Sequence, residues 1–307
     1  LDLDGPRAGP LRRGVHAVAR RLGMAPVRSA APRLRQFLRR HRVSVVMGEY
    51  MDASLEWLMP VKEMGLRFYV HAHGYDVSRS LRDPRWRTAY AAYNKADGVI
   101  TINQISRVRL IELGLDPSRV HVVPYGVDTQ APALHADRAS VRCLAVGRMV
   151  AKKGPIFLLD AFRRALASVP DLRLDIVGDG RLMPAARQYV EALGLHDAVT
   201  FHGSLAHDAV LALMRESDIL VQHSAVDEEG DEEGLPVSIL EAMAHSLPVV
   251  STRHAGIPEA VDHGATGLLV AEGDTEGMAD AIVRLCADGD LRAVFGRRGE
   301  ARVRERF

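Results

Sequence analysis

The sequence predicts an α/β protein built from two Rossmann-like, doubly wound domains. Short runs rich in valine, isoleucine and leucine alternate along the chain with longer amphipathic patterns. Continuous apolar strands separated by helices are typical of parallel sheets that are buried on both faces. The length of 307 residues is enough for about two domains of ordinary size.

The order of these elements predicts where the two domains meet. A polar stretch at 126–140 separates four strands from six, and the first 42 residues contain no clear strand. We therefore predict domains at 1–128 and 129–307. Because the first domain has fewer strands, we expect it to be incomplete and the chain to be a fragment. The predicted strands are 43–48, 67–73, 98–102, 119–125, 142–147, 173–178, 199–203, 218–224, 248–252 and 267–271, and helical patterns cover 155–169, 207–217 and 275–287.

Composition and charge exclude several classes of protein. The two cysteines lie far apart, which indicates neither a disulfide framework nor a zinc ribbon. No uncharged apolar run reaches the ~18 residues of a membrane span, and the widely separated cysteines fit a reducing cytoplasm, where we expect the protein to lie. The net charge is only +1, but residues 1–42 carry 11 basic and 2 acidic side chains. Such a basic segment suits the phosphates of nucleic acid or of an anionic lipid surface, or is simply a solvated, arginine-rich helix.

A helix start with an acid on either side lies in the second domain. Pro236 suits the first turn of a helix because it needs no N–H partner there. The first N–H groups of a helix lack acceptors within it and form a site suited to phosphate. Glu233 precedes this helix and Glu241 lies within it, and such carboxylates suit the paired hydroxyls of a hexose and a ribose. We expect the helix to begin at about Leu235, and the N–H groups that face the phosphate are those of Leu235, Val237 and Ser238.

Cations are needed beside these acids if a diphosphate is to bind there. Arg148 follows the first strand of the second domain, and Lys152, Lys153 and Gly154 precede its first helix. Arginine offers phosphate a bidentate fork and lysine a point charge. Each motif alone is also compatible with an ordinary loop or helix start. We expect the remaining acids of the run, 227–232, to be mostly a solvated loop.

Several motifs resemble those of one enzyme family. The run EGLPVSILE, from Glu233 to Glu241, resembles the E-x7-E signature of retaining GT-B glycosyltransferases of group 1, also called GT4. The resemblance covers about residues 43–307 and is closest to the bacterial branch that builds exopolysaccharide and lipopolysaccharide, as in colanic acid synthesis. It is carried further by 241–270, GRMVAKKG (147–154), IVGDG (176–180), HVVPYGVD (121–128) and HAHGYD (71–76).

The resemblance implies a fold and an activity. The GT-B fold places two Rossmann-like domains so that they face a cleft, with the acceptor bound by the first domain and the donor by the second. The implied activity is metal-independent, retaining transfer of a hexose from a GDP- or UDP-sugar to a saccharide or lipid-linked acceptor. No cofactor, metal or nucleic acid is implied, and the basic N-terminal segment suggests peripheral contact with the inner face of the plasma membrane.

The resemblance also implies residue roles. Arg148 and Lys153 would bind the donor diphosphate and stabilise the leaving group. Glu233 would hold the hexose, Glu241 the ribose, and His73 would lie near the donor sugar. The family's first domain also opens with a strand and a glycine-rich loop, which this sequence does not show. Further donor contacts are implied for the backbone of Gly234, Leu235, Pro236 and Val237 and for Asp179, with Asp76 as a more distant contact and the base near 201–203.

Other functions remain open at this point. A non-catalytic nucleotide-sugar-binding fragment, or another GT-B enzyme such as an epimerase, would share the donor site. A phosphorylase is disfavoured because no lysine follows Lys153 to hold pyridoxal phosphate. His71, His73 and Asp76 form an HxHxxD pattern that would suit zinc, but no further histidine motif follows nearby, and we predict no metal.

Overall fold

The computed structural model describes residues 30–128 and 140–307. Predictions that concern 1–29, including most of the basic segment, lie outside these residues. Contacts divide the chain into two compact units between Val123 and Pro124.

The first unit contains a four-stranded parallel sheet in the order β1-β2-β3-β4. All four predicted strands of this unit are found. Buried aromatic side chains, among them Phe68, Tyr90 and Tyr93, fill its core. The strands are β1 (Val45–Glu49), β2 (Arg67–Ala72), β3 (Gly98–Thr101) and β4 (Val120–Val122), and the helices are α1 (Ala30–Arg40), α2 (Met51–Lys62), α3 (Pro84–Ala89) and α4 (Gln104–Glu112), with short 3-10 turns at Tyr75–Val77, Arg79–Arg82 and Tyr90–Lys95.

The second unit contains a six-stranded parallel sheet, and all six predicted strands are found. Strands β8 and β9 are buried along their whole length, as expected for a sheet covered on both faces. The strands are β5 (Arg142–Val146), β6 (Arg173–Val177), β7 (Val199–Gly203), β8 (Ile219–Gln222), β9 (Val249–Thr252) and β10 (Gly267–Val270). The helices are α5 (Pro155–Ser168), α6 (Met183–Ala192), α7 (His207–Arg215), α8 (Val237–Ala244), α9 (Ile257–Ala260), α10 (Thr275–Ala287) and α11 (Gly289–Arg306), with a 3-10 turn at Ala151–Lys153.

The strand order of the second unit determines where a ligand can bind. The strands lie in the order β10-β9-β8-β5-β6-β7. The sheet therefore extends from β5 through β6 and β7 on one side and from β8 through β9 and β10 on the other, and the strand order reverses between β5 and β8. In open parallel sheets, ligands bind outside the carboxyl ends of the strands at such a reversal. The loops after β5 and β8 contain the basic and acidic motifs of the sequence, so the topology brings both motifs to one edge. The predicted α/β class, with two Rossmann-like domains, is confirmed.

The start of α8 differs slightly from the prediction. Pro236 has an extended backbone (ψ 119°) and lies just before the helix, which begins at Val237 rather than at about Leu235. Pro236 therefore occupies the N-cap instead of the first turn.

Among residues 30–128 and 140–307, no helix combines the length and apolar composition that crossing a bilayer requires.

Candidate functional site

A cleft lies at the carboxyl edge of the second unit's sheet, next to the point where the strand order reverses. It lies above the ends of β5, β6 and β8, and its floor is apolar. The polar groups at its rim include Gln222 and two of the cations predicted to bind phosphate, Arg148 and Lys153. Arg148 is exposed, so its guanidinium is accessible to a ligand.

Glycines allow the loops of this edge to approach closely. Gly178 follows β6 with φ +131°, and a Cβ there would lie 1.9 Å from the carbonyl oxygen of Gly147. Gly154 adopts a left-handed conformation, φ +50°, immediately before α5. A Cβ on Gly154 would lie 2.6 Å from Nδ1 of His223, which follows β8. Gly178 thus lets the IVGDG turn pack against the GRMVAKKG turn, and Gly154 lets the GRMVAKKG turn pack against the residue that follows β8.

The carboxylate of Glu233 lies between two lysines. Its Oε2 is 2.9 Å from Nζ of Lys153, and its Oε1 is 3.5 Å from Nζ of Lys152. The Glu233 side chain is only 12% exposed. The sequence predicted Lys153 as a phosphate ligand, and the structure adds a direct contact between this lysine and the acid.

The lysines keep Glu233 ionised in spite of its burial. Burial by itself would raise the pKa of this carboxyl. The charges of Lys153 and Lys152, together with their hydrogen bonds, outweigh burial and hold the pKa below its usual value. Glu233 is therefore an acceptor of hydrogen bonds at neutral pH, which is the form needed to bind sugar hydroxyls.

The expectation that residues 227–232 form a mostly solvated loop is wrong for two acids. The Asp227 side chain is 7% exposed, and its Oδ1 accepts hydrogen bonds from the N–H groups of Glu229 and Asp231. Asp231 lies 3.0 Å from Nζ of the buried Lys152. The loop folds back on its own amides and on a lysine, because a backbone that turns this tightly needs acceptors for its N–H groups.

Two residues that the sequence analysis missed hold this loop from behind. The N–H of Glu233 donates to Nε2 of His254, at 3.0 Å, and Nδ1 of His254 lies 2.6 Å from Oε1 of Glu272. The other oxygen of Glu272 accepts from the N–H of Val226. Since Nε2 of His254 accepts, its proton is on Nδ1, directed at Glu272. The long separation of these residues in the sequence hides the arrangement; the only available signal was a histidine two residues after the end of β9.

The predicted donor-binding residues 234–237 and Glu241 lie just before helix α8 and in its first turns. Gly234, Leu235 and Pro236 are buried, while Val237 is exposed at the first turn. Glu241 lies one turn further, and its Oε1 is 3.8 Å from Nδ1 of the exposed His207. Glu241 therefore lies beside the first residue of helix α7.

Two other predicted contacts lie around the cleft. Asp179 is exposed in the turn after β6, where its carbonyl accepts from the N–H of Met149. Its Oδ1 bonds the N–H of Gly180, so it shapes the turn as well as facing solvent. In the 201–203 segment, the ring of Phe201 packs under the guanidinium of Arg187.

The remaining predicted residue, His73, belongs to the first unit. It follows β2, and its Nε2 lies 2.6 Å from Oε2 of Glu49 at the end of β1. The ring of Tyr50 packs against His73, with centroids 4.2 Å apart. Burial, reinforced by the neighbouring His73, lowers the pKa of His71, although Glu49 opposes this shift.

Asp76 supports this histidine through the backbone. It is fully buried, and its two oxygens accept 2.8 Å hydrogen bonds from the N–H groups of Met51 and His73. Burial raises its pKa to about 6, and the two backbone hydrogen bonds oppose that rise. Asp76 thus positions His73 and the start of α2, and its burial excludes direct contact with a ligand.

Comparisons with known proteins relate the sequence to one family. The family model described as Glycosyl transferases group 1 matches residues 140–288, and the model described as Glycosyltransferase Family 4 matches residues 4–131. The two matches follow one another and together span most of the chain.

Individual relatives agree. WcaL of Salmonella typhimurium, named for colanic acid biosynthesis, is 31% identical over 211 residues, which is 67% of this chain and 52% of that protein. A GDP-mannose-dependent α-(1-6)-phosphatidylinositol monomannoside mannosyltransferase of Mycobacterium tuberculosis is 29% identical over 293 residues, 90% of this chain and 75% of that protein.

Solved structures show the same fold. HepE of Anabaena, in complex with UDP-glucose, superposes with a TM-score of 0.76 at 23% identity, covering 90% of this chain and 78% of HepE. The chain spans about half the length of the first curated relatives it matches. Fold, motifs and family matches agree, and the chain belongs to the group 1, or family 4, glycosyltransferases.

Proposed function

We propose that this chain contains the donor site of a retaining hexosyltransferase that uses a nucleotide-diphosphate sugar. The observation that carries the proposal is the buried carboxylate of Glu233, held between Lys153 and Lys152 immediately before helix α8. Such an arrangement combines an anion site with a hydrogen-bond acceptor for sugar hydroxyls. The names of relatives include both a GDP-mannose-dependent enzyme and a protein solved with UDP-glucose, so the proposed donor class is a GDP- or UDP-hexose.

In the proposed mechanism, charges replace a metal at the diphosphate. When the bond between the anomeric carbon and the diphosphate oxygen breaks, negative charge grows on the leaving phosphate. Arg148, Lys153 and the first N–H groups of α8 would meet this charge in a fixed arrangement, which is how preorganised sites lower a barrier. The Lys153 ammonium has three donors, so it can contact phosphate while it keeps its contact with Glu233.

The sugar and the acceptor complete the reaction. Glu233 would accept hydrogen bonds from the hexose, Glu241 from the ribose, and His73 of the first unit would contact the donor sugar. The acceptor hydroxyl oxygen bonds to the anomeric carbon on the face that the diphosphate leaves, and its proton passes to the leaving phosphate. The proposed acceptor is a glycan or lipid-linked saccharide of cell-surface polysaccharide synthesis, with transfer at the inner face of the plasma membrane.

A direct test uses one isosteric variant. Release of nucleoside diphosphate from a panel of GDP- and UDP-sugars is measured with the full-length gene product, in the presence of EDTA. Glu233→Gln should lower transfer by at least about 100-fold, near 2.7 kcal/mol of activation free energy. Glu228→Gln, an exposed acid of the same loop, is the matched control. Full activity of Glu233→Gln would overturn the site, and a strict metal requirement would overturn the mechanism.

Binding of a donor without any turnover would favour a nucleotide-sugar-binding function instead. Titration of the same donors by calorimetry distinguishes this outcome, because it measures binding in the absence of transfer.

A further inference from the structure

Three side chains with metal-binding atoms meet at the carboxyl edge of the first unit's sheet. Glu49 ends β1, and its register partner on β2 is His71. His73 lies two residues further along, and residues two apart in extended chain project to the same face. One ligand atom from each of these three residues lies within 4.8 Å of the other two.

The distances between these atoms suit a small ion. Oε2 of Glu49 is 3.3 Å from Nδ1 of His71 and 2.6 Å from Nε2 of His73. Ligands at 2.0–2.1 Å from a tetrahedral zinc lie about 3.4 Å from one another. The pair of Glu49 and His71 already has this spacing, and His73 would exchange its short hydrogen bond for a metal bond. The Glu49 side chain is 56% exposed, so an ion can reach the cluster from solvent.

This ligand set differs from the one that the sequence suggested. The HxHxxD pattern offered Asp76 as the third ligand, but both of its oxygens accept backbone hydrogen bonds in the core. The third position belongs instead to Glu49, which pairing of β1 with β2 brings beside the histidines. Periodicity could not have found this residue, because it lies 22 positions before His71 in the chain.

We propose that Glu49, His71 and His73 bind one transition-metal ion of the Zn²⁺ class. Two imidazoles and one carboxylate are ligands that Zn²⁺, Co²⁺ and Ni²⁺ accept readily. Mg²⁺ and Ca²⁺ prefer six or more oxygen ligands and are excluded by the same chemistry. The remaining coordination positions face solvent and take water.

The ion has a consequence for activity, and this consequence rests on the proposed function. If His73 contacts the donor sugar, an ion on its Nε2 removes that contact. Bound Zn²⁺ would therefore inhibit transfer, so the ion would regulate the enzyme and would take no part in the reaction. The diphosphate site of the second unit would still need no metal.

Cobalt provides a readout that does not depend on activity. The full-length gene product is stripped with a chelator, transferred to chelator-free buffer and titrated with Co²⁺, and the visible absorption of four- or five-coordinate Co²⁺ is recorded. We expect one Co²⁺ per chain, displaced by Zn²⁺ and unaffected by excess Mg²⁺. Glu49→Gln and His71→Ala should each weaken binding at least about ten-fold. His121→Ala, an exposed histidine on β4 of the same sheet, is the matched control.

The outcomes separate the two proposals. Absence of the Co²⁺ absorption, or its persistence in both variants, would overturn the metal site. Glu49→Gln is conservative and lies at the surface, so circular dichroism and thermal unfolding should show a native fold. Metal binding in a protein that transfers no sugar would support the metal site and contradict the proposed function. Metal binding that leaves sugar transfer uninhibited would support the metal site and show that His73 does not contact the donor.

Discussion

The carboxylate of Glu233 and the ammonium of Lys153 lie 2.9 Å apart at the carboxyl edge of the second unit's sheet. They are 80 positions apart in the chain, Glu233 in the loop that follows β8 and Lys153 just before α5. The contact keeps the acid ionised and holds a cation beside the start of α8. Each half of the site therefore depends on the other.

Loss of the Lys153 charge should slow transfer more than it weakens donor binding. Lys153→Gln removes a donor that would stabilise the leaving diphosphate, and removal of one such donor typically lowers kcat by about 100- to 1,000-fold. Steady-state kinetics with the best donor measures this loss. Lys95→Gln, at an exposed position of the first unit, is the control. Equal activity of the two variants would contradict the assigned role.

Glu272 should act on activity through the position of the acidic loop. Glu272→Ala removes the acceptor for both His254 and the N–H of Val226. We expect kcat to fall about ten-fold while KM for the donor changes less. Displacement of the acidic loop should disturb the alignment of the reacting groups more than it weakens binding of the donor.

The conservative variant Glu272→Gln should recover part of this loss, since its amide oxygen still accepts from His254. Glu276→Ala, an exposed acid on α10, should leave kcat unchanged. A loss confined to thermal stability, with normal kcat, would show that Glu272 is only structural.

Gly154 should resist substitution for two separate reasons. Alanine at φ +50° is strained by itself, at about 1 kcal/mol, and its Cβ would also lie 2.6 Å from Nδ1 of His223. We expect Gly154→Ala to destabilise the second unit by about 3 kcal/mol in urea unfolding. At Gly194, φ is +64° and nothing lies within 4 Å of a new Cβ, so Gly194→Ala measures the cost of the backbone conformation alone. Equal losses of stability in the two variants would show that the new Cβ does not clash with His223.

His223 should make stability fall in mild acid. It is fully buried after β8, its Nε2 accepts from the N–H of Gly273, and burial lowers its pKa from about 6.5 to about 4. Between these two values the unfolded chain binds a proton that the folded chain does not, so stability declines as pH falls.

The shift corresponds to about 3 kcal/mol between pH 6.5 and pH 4. Urea unfolding across this range measures the slope, which should be smaller in His223→Gln than in the parent. His196→Gln, an exposed histidine of the same unit, should keep the parent slope. An identical slope in His223→Gln would contradict the prediction.

The sequence by itself determined the strands of both sheets and the character of the proposed donor site. Strands buried on both faces contain continuous apolar runs, so Ile219–Val221 of β8 and Val249–Val250 of β9 stand out in the sequence without any partner. Helix starts, glycine turns and the spacing of Glu233 and Glu241 are likewise local, because caps and turns involve residues close in the chain.

Only the tertiary structure decided which distant groups meet. Strand pairing places Glu49 beside His71. Loop packing places Lys153 and Lys152 against Glu233. It also brings Glu272 to His254. Asp227 and Asp231, which look like solvated acids in the sequence, bind backbone amides and a buried lysine. A charged residue shows its type in the sequence, but its partner and its burial depend on which chain segments the fold packs against it.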